Sequence, residues 1–387
     1  MNKISRFFGF ASQGVKTCGT CIPSQRIPPQ LISRLSTNAS IPELRRQKET
    51  FHDVLPRILD SIVTSPKFND VEDVASWIRQ VLDYNLAGGK LARGLSTVMA
   101  YEILEKPDKI TDETLQLSRI MGWCVEMLQA YLLVLDDIMD ASLKRRGMPC
   151  WYTLPNVGLG AINDSILIYT SMIHVLRSHF GHLPQYFDIM DQFNEALLFT
   201  SVGQHLDYTM GQRNKNDYSL FTVERYNAIV KYKTSYYTYK LPVCLGMLLS
   251  NNNNKESHRK AEQISFKIGR IFQMQDDFID GFGSESVTGK TGRDIQEGKC
   301  SWLAVTALQL CNEPQRKVFT SCYGSSEPAH IERIKRLYEE LNLPEVFRQE
   351  ERTRYDEVVT LANKFGDGTR APELFLKLLD AIYNRNK

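Results

Sequence analysis

The 387-residue chain has no run of about 18 consecutive apolar residues, and its mean hydropathy is −0.31, so no membrane span is expected. Net charge is also scarce. Forty-seven Lys and Arg oppose 45 Asp and Glu, leaving +2, which argues against a protein whose main business is the nucleic-acid backbone, since that demands a large clustered positive excess. Eight cysteines, from Cys18 to Cys322, are scattered without a framework, so a disulfide-stapled secreted fold is excluded and a reducing compartment is expected. Cys18-Gly-Thr-Cys21 lacks a second Cys or His pair, and no zinc site is expected there. Alternating strand patterns with hairpin turns are scarce throughout.

Acidic residues are missing altogether from residues 1–40, which hold five basic ones: Lys3, Arg6, Lys16, Arg26 and Arg34. The segment is rich in Ser, Thr and Pro, and Arg6, Phe7, Phe8 and Phe10 could form a short basic amphipathic turn. This composition resembles a mitochondrial transit peptide, with processing expected between Arg34 and Ser40. The alternative is a basic tail without an address, in a cytoplasmic protein.

From Ile41 onward apolar residues recur at three- and four-residue spacing, the period of helices. Turn signals at Gly88-Gly89, Pro107-Asp108, Gly147-Met148-Pro149, Pro155-Asn156, Gly181, Asn251 to Asn254 and Gly281 to Gly298 separate the segments. Helices are expected over 114–140, 160–178, 187–212, 222–249 and 258–280. The asparagine run reads as a solvated loop. Nothing marks a linker between 41 and 387, so one all-α domain around a single core is expected.

Asp136-Asp137-Ile138-Met139-Asp140 and Asp276-Asp277-Phe278-Ile279-Asp280 repeat one acidic spacing. Each follows an apolar stretch, Met127–Leu135 and Ile268–Met274, so carboxylates are placed at the ends of buried helices. That is costly unless positive charge meets them. Asp136 and Asp140 lie one turn apart on one face, with Asp137 about 100° round. Hard oxygen ligands without Cys or His suit Mg²⁺, which keeps waters and shares phosphate oxygens. Cations supply the complement: Lys90 and Arg93 after the Gly88-Gly89 pair, Arg145-Arg146 behind the first motif, Lys233 before Thr234, and Lys290 and Lys299 around the loop after the second. Together they predict a Mg²⁺–diphosphate site that holds two anionic substrates.

The order Gly-Gly-Lys-x-x-Arg, Asp-Asp-x-x-Asp with a trailing Arg-Arg, Gly203-Gln204-x-x-Asp207, Lys-Thr, then Phe-Gln273-x-Gln-Asp-Asp-x-x-Asp resembles the farnesyl diphosphate synthases. The likeness covers residues 41–387 and extends to Arg146-Gly-Met-Pro-Cys-Trp-Tyr152 and Asp294-Ile-Gln-Glu-Gly-Lys-Cys-Ser-Trp302. It implies an all-α, homodimeric enzyme with about three Mg²⁺ per active site, Mn²⁺ substituting. Such enzymes condense isopentenyl diphosphate head to tail with dimethylallyl and then geranyl diphosphate.

By this resemblance Asp136, Asp140 and Asp276 ligate the metal, supported by Asp137, Asp277 and Asp280. Lys90, Arg93, Gln129 and Arg146 hold isopentenyl diphosphate; Arg145, Lys233, Lys290 and Lys299 hold the allylic diphosphate. Gln204 and Asp207 join the substrate-binding set, and Thr234 and Gln273 present oxygens near the developing cation.

The family's usual pair of Phe beneath the first aspartate is replaced by Tyr131 and Leu132. Side chains at these positions meet a chain growing down from the metal and set its length. One aromatic stop and one lost ring predict a fifteen-carbon product with room for a longer chain or an ethyl-branched precursor, as in insect members. The tail Tyr383 to Lys387 is less basic than the family's usual closing tail. Rival readings are a family-derived terpene synthase acting on farnesyl diphosphate, a geranyl or geranylgeranyl diphosphate synthase, and a non-catalytic regulatory subunit. The cations for a second substrate argue against the first, and six intact aspartates against the last.

Overall fold

The structure, a computed structural model, describes residues 41–64, 72–213, 217–283, 292–366 and 369–383. The leader, Lys290 and the tail from Asn384 to Lys387 lie outside the described residues, as does the boundary expected at residue 40. Contacts divide the chain into a short unit, Met1–Arg46, and a main unit, Gln47–Lys387.

The fold is all-α. In chain order the helices are α1 (Ile41–His52), α2 (Leu55–Val63), α3 (Glu72–Leu86), α4 (Ala92–Leu104), α5 (Asp112–Met139), α6 (Ala161–Phe180), α7 (Tyr186–Tyr208), α8 (Val223–Ile229), α9 (Leu241–Leu249) and α10 (Lys255–Phe282). They continue as α11 (Asp294–Glu297), α12 (Trp302–Leu310), α13 (Glu313–Cys322), α14 (Pro328–Glu340), α15 (Leu343–Asn363) and α16 (Ala371–Tyr383). Between α8 and α9 the helix winds in the wider π register over Val230–Lys240. Among the described residues the strands are a two-rung antiparallel ladder, β1 (Lys144–Arg145) against β2 (Met148–Pro149).

Local chemistry explains the ends. Thr111 caps α5 by accepting from the Thr114 amide, with Asp112 and Glu113 in the first turn. Asn254 caps α10 through Ser257 N, and Asn251 takes φ 56° while accepting from Gln185 Nε2 at 2.7 Å. The asparagine run is therefore turn and cap chemistry, not only solvated loop.

Helix α5 is buried on nearly all sides from Ile120 to Ala130 and forms the axis of the main core. It crosses α4 where glycine meets glycine: a Cβ on Gly94 would lie 2.9 Å from Gly122 O, and one on Gly122 only 2.7 Å from Gly94 O. Helix α6 packs on α5 through Ile168, Met172, Val175 and Phe180. By length and composition α6 could cross a membrane: a window within Gly158–Phe180 has mean hydropathy 1.3, with 44% buried. The apolar-run reading missed this segment because isolated polar residues interrupt it. Its packed face gives it the place of a core helix.

Candidate active site

The first acidic motif closes α5, where Asp140 is the C-cap. Asp137 points inward and is 4% exposed. Both its oxygens accept from Arg145 Nε, at 2.8 and 2.9 Å, and Arg145 Nη2 reaches Asp136 Oδ2 at 3.2 Å. The β1–β2 hairpin makes this possible: Arg146 and Gly147 both take positive φ, 54° and 80°, so the chain reverses and returns Arg145 over the motif. Burial nevertheless pushes the Asp137 carboxyl above its usual range.

Lysines and one further acid knit the rest. Lys233 donates to Asp207 Oδ2 at 2.5 Å and pairs with Asp136 Oδ1 at 3.3 Å. Lys299 reaches the same Asp207 oxygen at 3.1 Å and Asp140 Oδ2 at 3.2 Å. Burial opposes the charge on Asp207, but Lys233 and Lys299 outweigh it and hold the carboxyl well below the usual carboxylate range. Asp136 is held low in the same way, mainly by Lys233 and then Arg145. Helix α7 brings Asp207 this close because Gly203 lies against the π-helical segment; a Cβ there would be 2.0 Å from Lys233 N.

The second motif sits near the end of α10. Asp277 is buried; Gln273 Nε2 donates to its Oδ1 at 2.9 Å and the Trp302 amide to its Oδ2 at 2.7 Å. Burial pushes its carboxyl up to about 7. Asp280 accepts from the Arg293 and Asp294 amides at 3.1 and 2.9 Å. Asp276 is exposed. Thr234 Oγ1 donates to Gln273 Oε1 at 2.9 Å, so these two expected site residues meet.

A second group of cations gathers around Gly89. Arg93 donates to Tyr237 OH at 2.8 Å and to Thr238 Oγ1, and its guanidinium lies 4.5 Å over the Tyr237 ring. Arg146 Nη1 donates to Ala87 O at 3.2 Å and would stand 3.0 Å from a Cβ on Gly89. Lys90 is exposed beside them. Gln129 is buried with Oε1 unpartnered. Gln204 is half-buried on α7, where its Nε2 lies 3.8 Å from Met139 Sδ.

Among the described residues no three His, Cys, Asp or Glu side chains cluster as a ready metal site; Lys233, Lys299 and Arg145 occupy the carboxylates instead. The donor set still fits a hard divalent cation. Asp136 Oδ1 is buried and accepts no hydrogen bond, Asp276 is exposed, and all the donors are oxygens. Asp137 and Asp277 have their oxygens already spent on Arg145, Gln273 and Trp302, so beside a bound cation they would support its ligands rather than serve as them.

Beneath Asp136 the half-buried Tyr131 packs on Tyr169 of α6, and Leu132 lies beside it in the same core. Sequence reasoning missed Tyr169, Tyr237 and Glu126. Glu126 carried a signal, a lone acid in an apolar helix. It is 5% exposed and accepts from the Gly94 amide at 2.8 Å.

The profile of the polyprenyl synthetase family matches residues 75–341. The farnesyl pyrophosphate synthase of Murgantia histrionica is 42% identical over 88% of this chain and 82% of its own length. That of Panax ginseng is 40% identical over 88% and 99%. The solved farnesyl diphosphate synthase of T. brucei, complexed with risedronate, superposes with TM-score 0.82 at 33% identity, covering 88% of this chain and all of that one. The chain belongs to the polyprenyl synthetase family and is a trans-prenyltransferase of the farnesyl diphosphate synthase kind.

Proposed function

We propose that the enzyme condenses isopentenyl diphosphate with dimethylallyl and then geranyl diphosphate to give farnesyl diphosphate. The observation that carries this reading is a pair of separate cationic places. Lys233, Lys299 and Arg145 stand among the aspartates. Arg93 and Arg146, with Lys90, surround the Gly89 loop.

Breaking the allylic C–O bond separates charge, so the barrier is electrostatic. Lys233, Lys299 and Arg145 already lie against carboxylates and can turn to the departing diphosphate. A pair of unit charges at about 4 Å is worth about 4 kcal/mol at an effective dielectric near 20. Asp136, Asp140 and Asp276 would hold Mg²⁺, which when bound neutralises charge on the leaving diphosphate. Thr234 Oγ1 and Gln273 Oε1 place oxygen dipoles beside the allylic cation. Arg93, Arg146 and Lys90 hold the second substrate in register, so that its double bond meets the cation before water does. The proton then lost can pass to the released diphosphate.

The same reading includes a homodimer. Ile162 and Ile166 on α6 and Leu198 and Val202 on α7 are 40–60% exposed, one turn apart in each pair, on helices that meet at Tyr169 and Asn194. It also includes mitochondrial import, supported by the acid-free leader alone.

The test is product analysis of the chain lacking residues 1–36, with Mg²⁺, isopentenyl diphosphate and each allylic diphosphate in turn. Farnesol after dephosphorylation of the dimethylallyl and geranyl reactions is the expected result. A hydrocarbon from farnesyl diphosphate alone would overturn it in favour of a terpene synthase.

A further inference from the structure

A cavity of about 240 Å³ lies outside the aspartate site, between α8 with the start of the π-helical segment, α10 and α15. Four cations line it, Lys231, Lys267, Arg270 and Arg354, against one acid, Glu357. Glu357 is spent on Lys267 at 2.9 Å. Arg270 and Arg354 share a single carboxylate, Glu350, which also accepts from Trp302 Nε1 at 3.0 Å. Lys231 has no carboxylate partner among the described residues. Its Nζ rests 5.0 Å from the Phe266 ring centre and 5.3 Å from that of Tyr232. The cavity is therefore short of negative charge.

Two polar atoms of its wall lack hydrogen-bond partners, the donor Arg270 Nε and the acceptor Asn227 Oδ1. Leaving such atoms unpaired costs about 1–3 kcal/mol each, a cost that a polar ligand in the cavity would relieve by reaching them. Burial, and then the Arg354 charge, lower the Arg270 pKa, as for a cation short of counter-charge.

We propose that this cavity binds a phosphate group, carried by inorganic phosphate or by a small hydroxylated phosphomonoester. The oxyanion meets Lys231 and the Arg270 fork, and the ligand's O–H donates to Asn227 Oδ1. Monohydrogen phosphate carries both kinds of group, whereas sulfate has no O–H to give. The cavity exceeds one phosphate, and Val230 and Phe266 offer an apolar wall to the organic part of an ester. None of these residues belongs to the two cationic places of the reaction. The site sits behind them, on the same helices that carry Lys233 and Gln273.

Calorimetric titration of the full chain with inorganic phosphate, sulfate and glycerol 3-phosphate tests this. A double variant, Lys90→Ala with Arg93→Ala, weakens phosphate binding at the Gly89 place, and titration without Mg²⁺ leaves Lys233, Lys299 and Arg145 paired to their aspartates. In it, phosphate and glycerol 3-phosphate should still bind, and sulfate more weakly. Lys231→Met with Lys267→Met in that background should weaken phosphate about tenfold or more. Asn227→Asp, which keeps the side-chain volume and adds a repelling charge, should do the same. Tighter binding of the ester identifies an organic phosphate as the occupant, and equal binding a free one. Phosphate affinity unmoved by both changes, no binding beyond that lost with Lys90 and Arg93, or sulfate binding as tightly as phosphate would each overturn the assignment.

Discussion

The rings of Tyr131 and Tyr169 lie 5.3 Å apart between centres, inclined at 43°. Tyr131 hangs from α5 below Asp136, and Tyr169 crosses from α6, held by a 3.4 Å hydrogen bond to Asn194. The stop proposed at Tyr131 would thus be an aromatic pair from two helices. Tyr131→Ala and Tyr169→Ala should each turn geranylgeranyl diphosphate from a trace into a major product, read by chromatography of the dephosphorylated alcohols. Leu132→Phe should cut any longer product of the wild type. Unchanged products in both alanine variants would move the floor elsewhere.

Gly203 is the contact on which the Asp207–Lys233 pair depends. A methyl there meets Lys233 N at 2.0 Å and the Tyr232 carbonyl carbon at 2.5 Å, backbone atoms that cannot swing aside. Gly203→Ala should cost about 1–3 kcal/mol of stability, as overpacking does. Turnover should fall further than stability does, because the shift displaces Lys233 itself. Thermal melting and kcat on one preparation separate the two effects; full activity would show that the helices part without cost.

Glu126 gives a pH-dependent signature. Burial raises its carboxyl pKa, only partly offset by the Gly94 amide and the charges of Arg93 and Arg146. A raised pKa means that the folded state binds the proton more tightly than the unfolded chain does. Stability is then lost as pH climbs above the unfolded glutamate value, about 4.3, toward the folded one. Glu126→Gln keeps an acceptor for Gly94 and should flatten that slope, raising neutral-pH stability on the order of 1 kcal/mol. Melting curves across pH 4–8 check it. An unchanged slope would mean that the two arginines fully sustain the charge.

The apolar faces of α6 and α7 set a third kind of test. Ile166→Asp with Leu198→Asp buries two charges if those faces meet in a homodimer and leaves a monomer unharmed. Sedimentation should show a dimer for the wild type and a monomer for the variant. A wild-type monomer would overturn the homodimer.

Much of this was legible in residues alone, for definite reasons. The acidic motifs stand out because a carboxylate after a buried apolar run is unusual, and the helical period places Asp136 and Asp140 on one face. The same geometry put Asp137 about 100° round from them, and the structure turns that side chain inward. The π register of Val230–Lys240 was not legible, because widening a helix by one residue per turn leaves the same residue types in the same order. Arg145 was expected at the allylic diphosphate; its bond to Asp137 depends on a hairpin whose positive φ at Arg146 no pattern announces. Tyr169 and Tyr237 were invisible because aromatics in helices are usually core.

Asp207 is where these elements converge, since one oxygen receives both Lys233 and Lys299. Held far below the usual carboxylate range, it stays charged wherever the protein is folded, so its pairing contributes stability above about pH 4 and loses it only in acid. Asp207→Asn leaves two largely buried ammonium groups to share Asp136 and Asp140, at about 3–5 kcal/mol for a broken buried pair. Inorganic diphosphate, itself an anion for those lysines, should restore part of the melting temperature. It should raise that of the variant more than that of the wild type, while kcat stays low because the lysines are no longer aimed. Equal shifts in both proteins would show that Lys233 and Lys299 do not receive the diphosphate, and would move the allylic leaving group away from them.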